Sequence, residues 1–102
     1  MKIDRTNNNL LITVEESDLD IRTTGLLSFV NDHLIEIVEE LDSCDIDMNR
    51  VDVSSECIAP LLFIKRLCVM NNVKCKVYNY KEDGVFVAML KRVKLYKIFT
   101  EE

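Results

Sequence analysis

The chain has 102 residues, of which 48% are hydrophobic and 30% are charged, and its formal net charge is −5. A chain of this length and composition suits one domain with one core and leaves no room for a second. With two glycines and one proline, it excludes collagen-like and low-complexity classes.

The charges are divided unevenly along the chain. Residues 1–59 carry 14 acidic and 4 basic side chains, a balance of −10, whereas residues 60–100 carry 9 basic and 2 acidic side chains, a balance of +7. Either each half has an ordinary solvated face, or the division steers a protein partner. The acidic total, without basic residues interleaved with exposed aromatics, predicts no nucleic-acid binding.

We expect a cytoplasmic protein with no membrane insertion. The start, MKIDRTNNNLLITV, lacks the order of a signal peptide, and no apolar run approaches the ~20 residues that cross a bilayer. The irregular spacing of the cysteines predicts reduced, mostly buried thiols and no zinc site, disulfide framework or cofactor. The cysteines are Cys44, Cys57, Cys68 and Cys75.

The first part of the chain predicts a hairpin, a strand and a helix. Lys2–Thr6 and Leu10–Val14 are strands around an asparagine turn, and Leu19–Thr23 alternates as a half-buried strand does. Thr24 can cap the first helix. The apolar stripe of that helix has three- and four-residue steps: Leu27, Val30, Leu34, Ile37, Val38 and Leu41.

The second part predicts strand, helix, strand and helix. Cys44–Met48 alternates as a strand, and the segment from about Cys57 to Asn71 is apolar on most sides, which predicts a largely buried helix. Pro60 fits only the first turn of that helix, and Asn71-Asn72 ends it. Lys74–Tyr78 alternates again. A last helical stripe follows: Val85, Met89, Leu90 and Val93.

This order of elements predicts an α/β fold. Strand–helix–strand units need crossover connections and therefore place parallel strands beside each other. We expect a small mixed sheet, mostly parallel, packed with three to four helices in a single domain over residues 1–102.

The stretch VDVSSECIAPLLF, from Val51 to Phe63, places two serines at a predicted helix start. Unpaired N–H groups and the helix dipole there can hold an anion, including a phosphoryl group on Ser54 or Ser55. The alternative is that one serine is only the N-cap and that Glu56 benefits from the dipole.

A small thiol enzyme or redox sensor is the alternative of another class. A helix start lowers the pKa of a thiol, so Cys57 is the candidate nucleophile. His33 is the one imidazole base in the chain, and nothing in the sequence brings it near. Because the paired carboxylates also lack the surroundings of a catalytic site, we expect no enzyme.

Three stretches together resemble the STAS domain of anti-sigma factor antagonists. They are LLITVEESDLD, IDMNRVDVSSECIAPLLFIKRL and NNVKCKVYNYKEDGVFVAMLKRVKLYKIF, and they span nearly the whole chain. SDLD at Ser17–Asp20 matches the family's Gly-x-Leu-Asp-like turn except for its glycine. Thr23-Thr24 matches the start of the family's first helix, and Asp47-Met48-Asn49 matches the end of one of its strands. LYKIF matches the end of the family's final helix.

The family's phosphorylated serine is replaced in this chain. One register places Ser54-Ser55-Glu56 over the family's Asp-Ser-Ser, and the other places Ser55-Glu56-Cys57 there. The phosphosite equivalent is therefore Glu56 or Cys57. A carboxylate at Glu56 would mimic part of the phosphate charge.

The resemblance implies a protein-interaction domain of a transcription-regulating signalling system. Its partner would be an anti-sigma factor serine kinase or a related switch protein. The partner-binding residues it implies are Asp18, Asp20, Ser54, Ser55, Glu56, Ile58 and Ala59. A STAS subunit of a lipid-transport ABC complex, or a signalling scaffold without phosphorylation, is the alternative within the same fold.

Overall fold

The structure, a computed structural model, describes residues 2–15, 28–51 and 58–97. Within these ranges four strands form one sheet in the order β1-β2-β3-β4. The pair β1 and β2 is antiparallel, whereas β2, β3 and β4 run parallel. The expected α/β fold with a mixed, mostly parallel sheet is thereby confirmed. The strands are β1 (Lys2–Thr6), β2 (Asn9–Thr13), β3 (Ser43–Asp47) and β4 (Val77–Tyr78).

The hairpin of β1 and β2 forms as predicted, with its second strand one residue earlier. Asn7 takes the left-handed conformation, with φ 57°, that asparagine adopts more readily than most residues. The Arg5 Nε donates to the Asn7 carbonyl over 3.0 Å. The Arg5 Nη2 also lies 3.3 Å from the Glu40 Oε2, which ties the hairpin to the end of the first helix.

The first helix, α1, is irregular in its hydrogen bonding. It consists of a π turn over Val30–Leu34, an α turn over Ile35–Ile37 and a 3-10 turn over Val38–Glu40. Its buried side chains recur every four residues at Val30, Leu34 and Val38, which confirms the predicted stripe in the described part. The predicted strand Leu19–Thr23 and the cap Thr24 lie outside the described residues.

One face of the sheet carries the core. Alternate strand residues on that face are at most 5% exposed and belong to one cluster with the buried side chains of the helices. Consecutive parallel strands are usually joined by right-handed crossovers, which place the intervening helices on one face, and the single core cluster agrees with this arrangement. The core residues of the strands and their ends are Leu10, Ile12, Val14, Cys44, Ile46, Met48, Cys75 and Val77.

The second helix, α2 (Ile58–Met70), is buried on one side only. Leu61, Ile64 and Cys68 are buried in the core, and Pro60 lies in the first described turn as expected. In contrast, Val69 and Met70 are 65% and 75% exposed. The prediction of a largely buried helix is wrong for this outer side, because these side chains lie outside the core cluster that Leu61, Ile64 and Cys68 join.

Asn72 ends α2, as predicted. It takes a left-handed φ of 58°, and its N–H donates to the Val69 carbonyl over 3.3 Å. The N–H of Val73 reaches back to the Cys68 carbonyl over 2.9 Å. This pair of bonds is a Schellman motif, in which asparagine replaces the usual glycine.

The third helix, α3 (Val85–Arg92), turns a different face to the core than the sequence pattern predicts. Phe86, Val87 and Leu90 are buried, whereas Val85 and Val93 of the predicted stripe are 54% and 48% exposed. The helix itself is confirmed. Its orientation differs because Phe86 fills more core volume than the valine before it.

Candidate functional site

The parallel strands bring three chain segments to one edge of the sheet. Thr13 of β2 pairs with Asp47 of β3, and Asp47 pairs with Tyr78 of β4, so these strands finish side by side. We call the segments that follow them, 14–15, 48–51 and 79–80, the carboxyl edge. In open α/β sheets the carboxyl ends of strands are where partners and ligands usually bind.

Two described residues of this edge directly precede the segments of the predicted site in the chain. The segment that contains Asp18 follows Glu15, and the segment that contains Ser54 follows Val51. Both segments therefore leave the sheet from neighbouring strands at the same edge. Ile58 and Ala59 form the start of the described part of α2. The other predicted site residues lie outside the described residues: Asp18, Asp20, Ser54, Ser55, Glu56 and Cys57.

The carboxylate of Asp47 ties the ends of β3 and β4 together. Its Oδ1 accepts a hydrogen bond from the Asn49 backbone N–H over 2.8 Å and another from the Asn79 Nδ2 over 2.9 Å. Hydrogen bonds to a charged acceptor are stronger than those between neutral groups. These two bonds join the turn after β3 to the end of β4.

Three residues of the edge have left-handed backbone conformations. The φ angles are 51° at Asn49, 55° at Arg50 and 60° at Asn79. Asparagine tolerates this region, whereas arginine pays roughly 1–2 kcal/mol for it. The Arg50 N–H donates to the Asn79 carbonyl over 2.8 Å, which offsets part of that cost. The turn directs the chain from β3 towards the start of α2.

A cleft of about 630 Å³ lies beside this turn. The basic side chains of Arg50 and Lys76 line it together with the acidic Glu82 and Asp83. The Lys76 Nζ lies 5.8 Å from the centre of the Tyr78 ring, in cation–π range. A cleft lined by charges of both signs and by two tyrosines suits a polar protein segment better than a small apolar ligand.

The two tyrosines of the cleft keep their phenol protons. Burial, followed by the charges of Asp47 and Asp45, raises the pKa of Tyr78. Burial and a hydrogen bond with Tyr96 raise the pKa of Tyr80. At neutral pH both phenols are therefore protonated, and the Tyr80 hydroxyl is engaged with Tyr96.

The described thiols lie in the core, away from this edge. Cys44, Cys68 and Cys75 are buried. A hydrogen bond with Cys44 and burial raise the pKa of Cys68 to about 12, although its hydrogen bond with Cys75 acts in the opposite direction. The hydrogen bond with Cys68 raises the pKa of Cys75 further. The thiols of Cys68 and Cys75 are therefore protonated at neutral pH, and burial keeps all three cysteines away from reagents in solution.

The thiol-enzyme alternative concerns other residues. Cys57 lies outside the described residues, so its distance from any base stays open. His33 is exposed on α1, with its ring 5.9 Å from that of Phe29. In the ranges that the structure covers, no three His, Cys, Asp or Glu side chains are placed to hold a metal ion.

Sequence reasoning missed the contacts that organise the edge. It identified Asp47 and Asn49 as a strand end, yet it did not join them to Asn79 or include Arg50. The available signal was a polar residue at the end of each of two neighbouring strands, because parallel pairing brings such residues together. The left-handed Arg50 has no comparable signal in the sequence.

The comparisons with known proteins do not assign a family. No protein-family model matches the chain, and no curated protein or solved structure is significantly similar to it. Within the described residues, no helix is long and apolar enough to span a membrane.

Proposed function

We propose that this chain is an anti-sigma factor antagonist-like STAS protein that regulates transcription by binding another protein. Its partner is an anti-sigma factor serine kinase or a related switch protein. The proposed binding surface consists of residues 54–59, which lead into α2, and the segment with Asp18 and Asp20. The chain acts by association and carries out no reaction of its own.

One observation carries this proposal. The parallel pairing of Thr13 with Asp47 makes the two segments that the resemblance implicates leave the sheet side by side. Two loops far apart in the sequence can then form one continuous surface, as partner binding requires. A different strand order would have separated them.

The preformed edge supports binding as well. Asp47 accepts hydrogen bonds from both Asn49 and Asn79, and bonds that order a surface before binding reduce the entropy cost of association. The cleft next to Arg50, with a volume of about 630 Å³, adjoins the same edge. Its mixed charges favour a protein segment as the ligand.

Glu56 gives the helix start a permanent negative charge in this proposal. A carboxylate carries about half the charge of a phosphoryl group and fewer acceptor oxygens, so it acts as a partial mimic. The chain would then bind without switching. A phosphatase-sensitive mass shift of one phosphoryl group on Ser54 or Ser55 of the native protein would contradict this part and restore a switch.

The test compares two variants that both keep a helix cap. Asparagine and aspartate cap a helix about as well as serine, so Ser55→Asn and Ser55→Asp retain the helix start while only the second adds charge. Each variant and the wild type would be used to isolate partners from native cells, with quantitative mass spectrometry. We expect the wild type and Ser55→Asn to retain a regulatory kinase or switch protein, and Ser55→Asp to lose it.

The other functions give different results in the same experiment. Isolation of transporter ATPase subunits by all three baits would support the lipid-transport alternative and contradict our proposal. If the chain is a thiol enzyme with Cys57 as its nucleophile, iodoacetamide should label that thiol rapidly below pH 7. Our proposal predicts that the labelling rate of Cys57 depends on pH as that of an ordinary thiol does.

A further inference from the structure

The outer side of α2 is an apolar surface that the core does not need. Phe63, Val69 and Met70 are 44%, 65% and 75% exposed. Arg66 lies three residues after Phe63, and Val69 and Met70 lie three and four residues after Arg66. This spacing places the four side chains on one side of the helix. We call these four residues the α2 outer face.

This surface is unusual for a helix packed on a sheet. Such a helix normally turns mostly polar residues outward, as α1 does with Glu36 and Glu39, where Ile35 is a single exposed apolar residue. On α2 the inward residues Leu61 and Ile64 already fill the core, so the outward apolar residues add nothing to its packing. Contiguous exposed apolar side chains rimmed by charge mark interaction sites.

Arg66 determines which charge a partner that binds this surface must carry. It is exposed and lies midway between Phe63 and Met70, and no carboxylate of the described residues is within salt-bridge distance of it. The surrounding part of the chain, residues 60–100, has a balance of +7. A carboxylate of the partner would pair with Arg66 among the apolar side chains of the interface. Salt screens such a partly buried ion pair less than an exposed one.

A second copy of the chain fits this surface poorly. A symmetric dimer places the same surface on both sides, and two antiparallel α2 helices centred on the outer face would bring their Arg66 side chains together. Like charges placed opposite each other in an interface disfavour the pairing. The charge therefore selects a different protein.

We propose that the α2 outer face binds an amphipathic, acidic helix of a partner protein. The apolar stripe of that helix would pack on Phe63, Val69 and Met70, and one of its carboxylates would pair with Arg66. Helices bind grooves and faces in this way through residues three and four positions apart. The surface lies beyond residues 54–59, so the inference stands whether or not the proposed function does.

The experiment places a photoreactive residue on the full-length protein in its native cells. p-Benzoyl-phenylalanine would replace Phe63 in one version, Met70 in a second and the exposed Asp4 on β1 in a control. After irradiation, the cross-linked peptides would be sequenced. We expect the photoreactive residue at positions 63 and 70, but not at position 4, to cross-link to a helical segment of another protein. That segment should have apolar residues three and four positions apart and acidic residues beside them.

Two substitutions test the charge. Arg66→Glu should reduce the cross-link at position 70 by roughly tenfold, whereas Arg66→Lys should retain most of it. Both substitutions are on an exposed side chain, and circular dichroism would show that the fold is kept. Ser55→Asp should leave this cross-link unchanged, which separates it from a failure of the proposed function.

Four outcomes would overturn the inference. They are a cross-link to a second copy of this chain, a cross-link within the same chain to residues 16–27 or 98–102, a partner segment without the acidic amphipathic pattern, and a yield at positions 63 and 70 no higher than at position 4. An undiminished cross-link in Arg66→Glu would likewise remove the role of charge.

Discussion

The side-chain amide of Asn79 donates to the carboxylate of Asp47 over 2.9 Å and joins the ends of two neighbouring parallel strands. The same carboxylate oxygen accepts the Asn49 backbone N–H, and the Asn79 carbonyl accepts the N–H of Arg50. These three bonds determine how the chain leaves β3. The turn that follows β3 thus depends on Asn79, the residue directly after β4.

Substitutions at Asn79 should separate its hydrogen bond from its backbone conformation. Asn79→Gly keeps the left-handed conformation and loses the amide, so we expect a loss of about 1 kcal/mol in the free energy of unfolding. Asn79→Ala also has to adopt a left-handed φ of 60° and should lose about 1 kcal/mol more. Urea unfolding followed by circular dichroism measures both. Equal stability of the two variants would contradict the assignment of strain.

The buried thiols should make stability fall at high pH. The pKa of Cys68 is raised from 9.0 to about 12 in the folded state, and that of Cys75 is raised further. A thiol whose pKa is higher in the folded state favours folding as long as the pH is below its pKa in the unfolded chain. This contribution is lost as the pH rises from the unfolded pKa towards the folded pKa. Each thiol should lower the free energy of unfolding by about 1.4 kcal/mol per pH unit above pH 9.

Urea unfolding between pH 7 and pH 11 checks the thiol prediction. The matched control is the double variant Cys68→Ala/Cys75→Ala, which retains Tyr78 and Tyr80, whose raised pKa values act in the same direction. The control should be less stable at pH 7 but should lose less stability as the pH rises. Parallel pH profiles for the two proteins would show that the thiols do not contribute.

The buried amine of Lys65 supports the edge strand of the sheet. Lys65 is 5% exposed, and its Nζ donates to the Cys75 carbonyl. Lys65→Ala should cost about 2–3 kcal/mol, because it removes both the packed stem and the donor to a buried carbonyl. Lys65→Met keeps the stem and should cost about half as much. If both variants were as stable as the wild type, the amine would have no structural role.

The cysteines should differ in their reaction with iodoacetamide. Cys44, Cys68 and Cys75 are buried and should be labelled only as fast as the protein opens. Cys57 should show an ordinary pH profile in our proposal. Mass spectrometry of peptides labelled between pH 6 and pH 9 measures all four. Fast labelling of Cys57 at pH 6 would instead favour the thiol enzyme.

Local patterns predicted the elements whose signals are local. The asparagine turn predicted the hairpin, with Asn7 left-handed, and Asn71-Asn72 predicted the end of α2, where Asn72 adopts the same conformation. The alternation around Ile46 predicted β3, and the crossover rule predicted parallel pairing. In each case neighbouring residues determine the conformation.

Features that depend on distant parts of the chain could not be predicted in the same way. The apolar residues of α2 predicted burial on most sides, but how many layers cover a helix is a property of the fold, and Met70 is exposed. The valines of α3 suggested a stripe that Phe86 displaces. The contact of Asp47 with Asn79 joins residues 32 positions apart and requires the register of β3 and β4.

The most direct test of our central claim is a nuclear magnetic resonance titration. The ¹⁵N-labelled protein would be mixed with the purified partner that the wild type and Ser55→Asn retain. We predict the largest amide changes at the carboxyl edge, at Asn49, Arg50 and Asn79, and at residues 54–59. Changes concentrated instead at the opposite edge, at Asn8 and Val73, with the carboxyl edge unaffected, would contradict it.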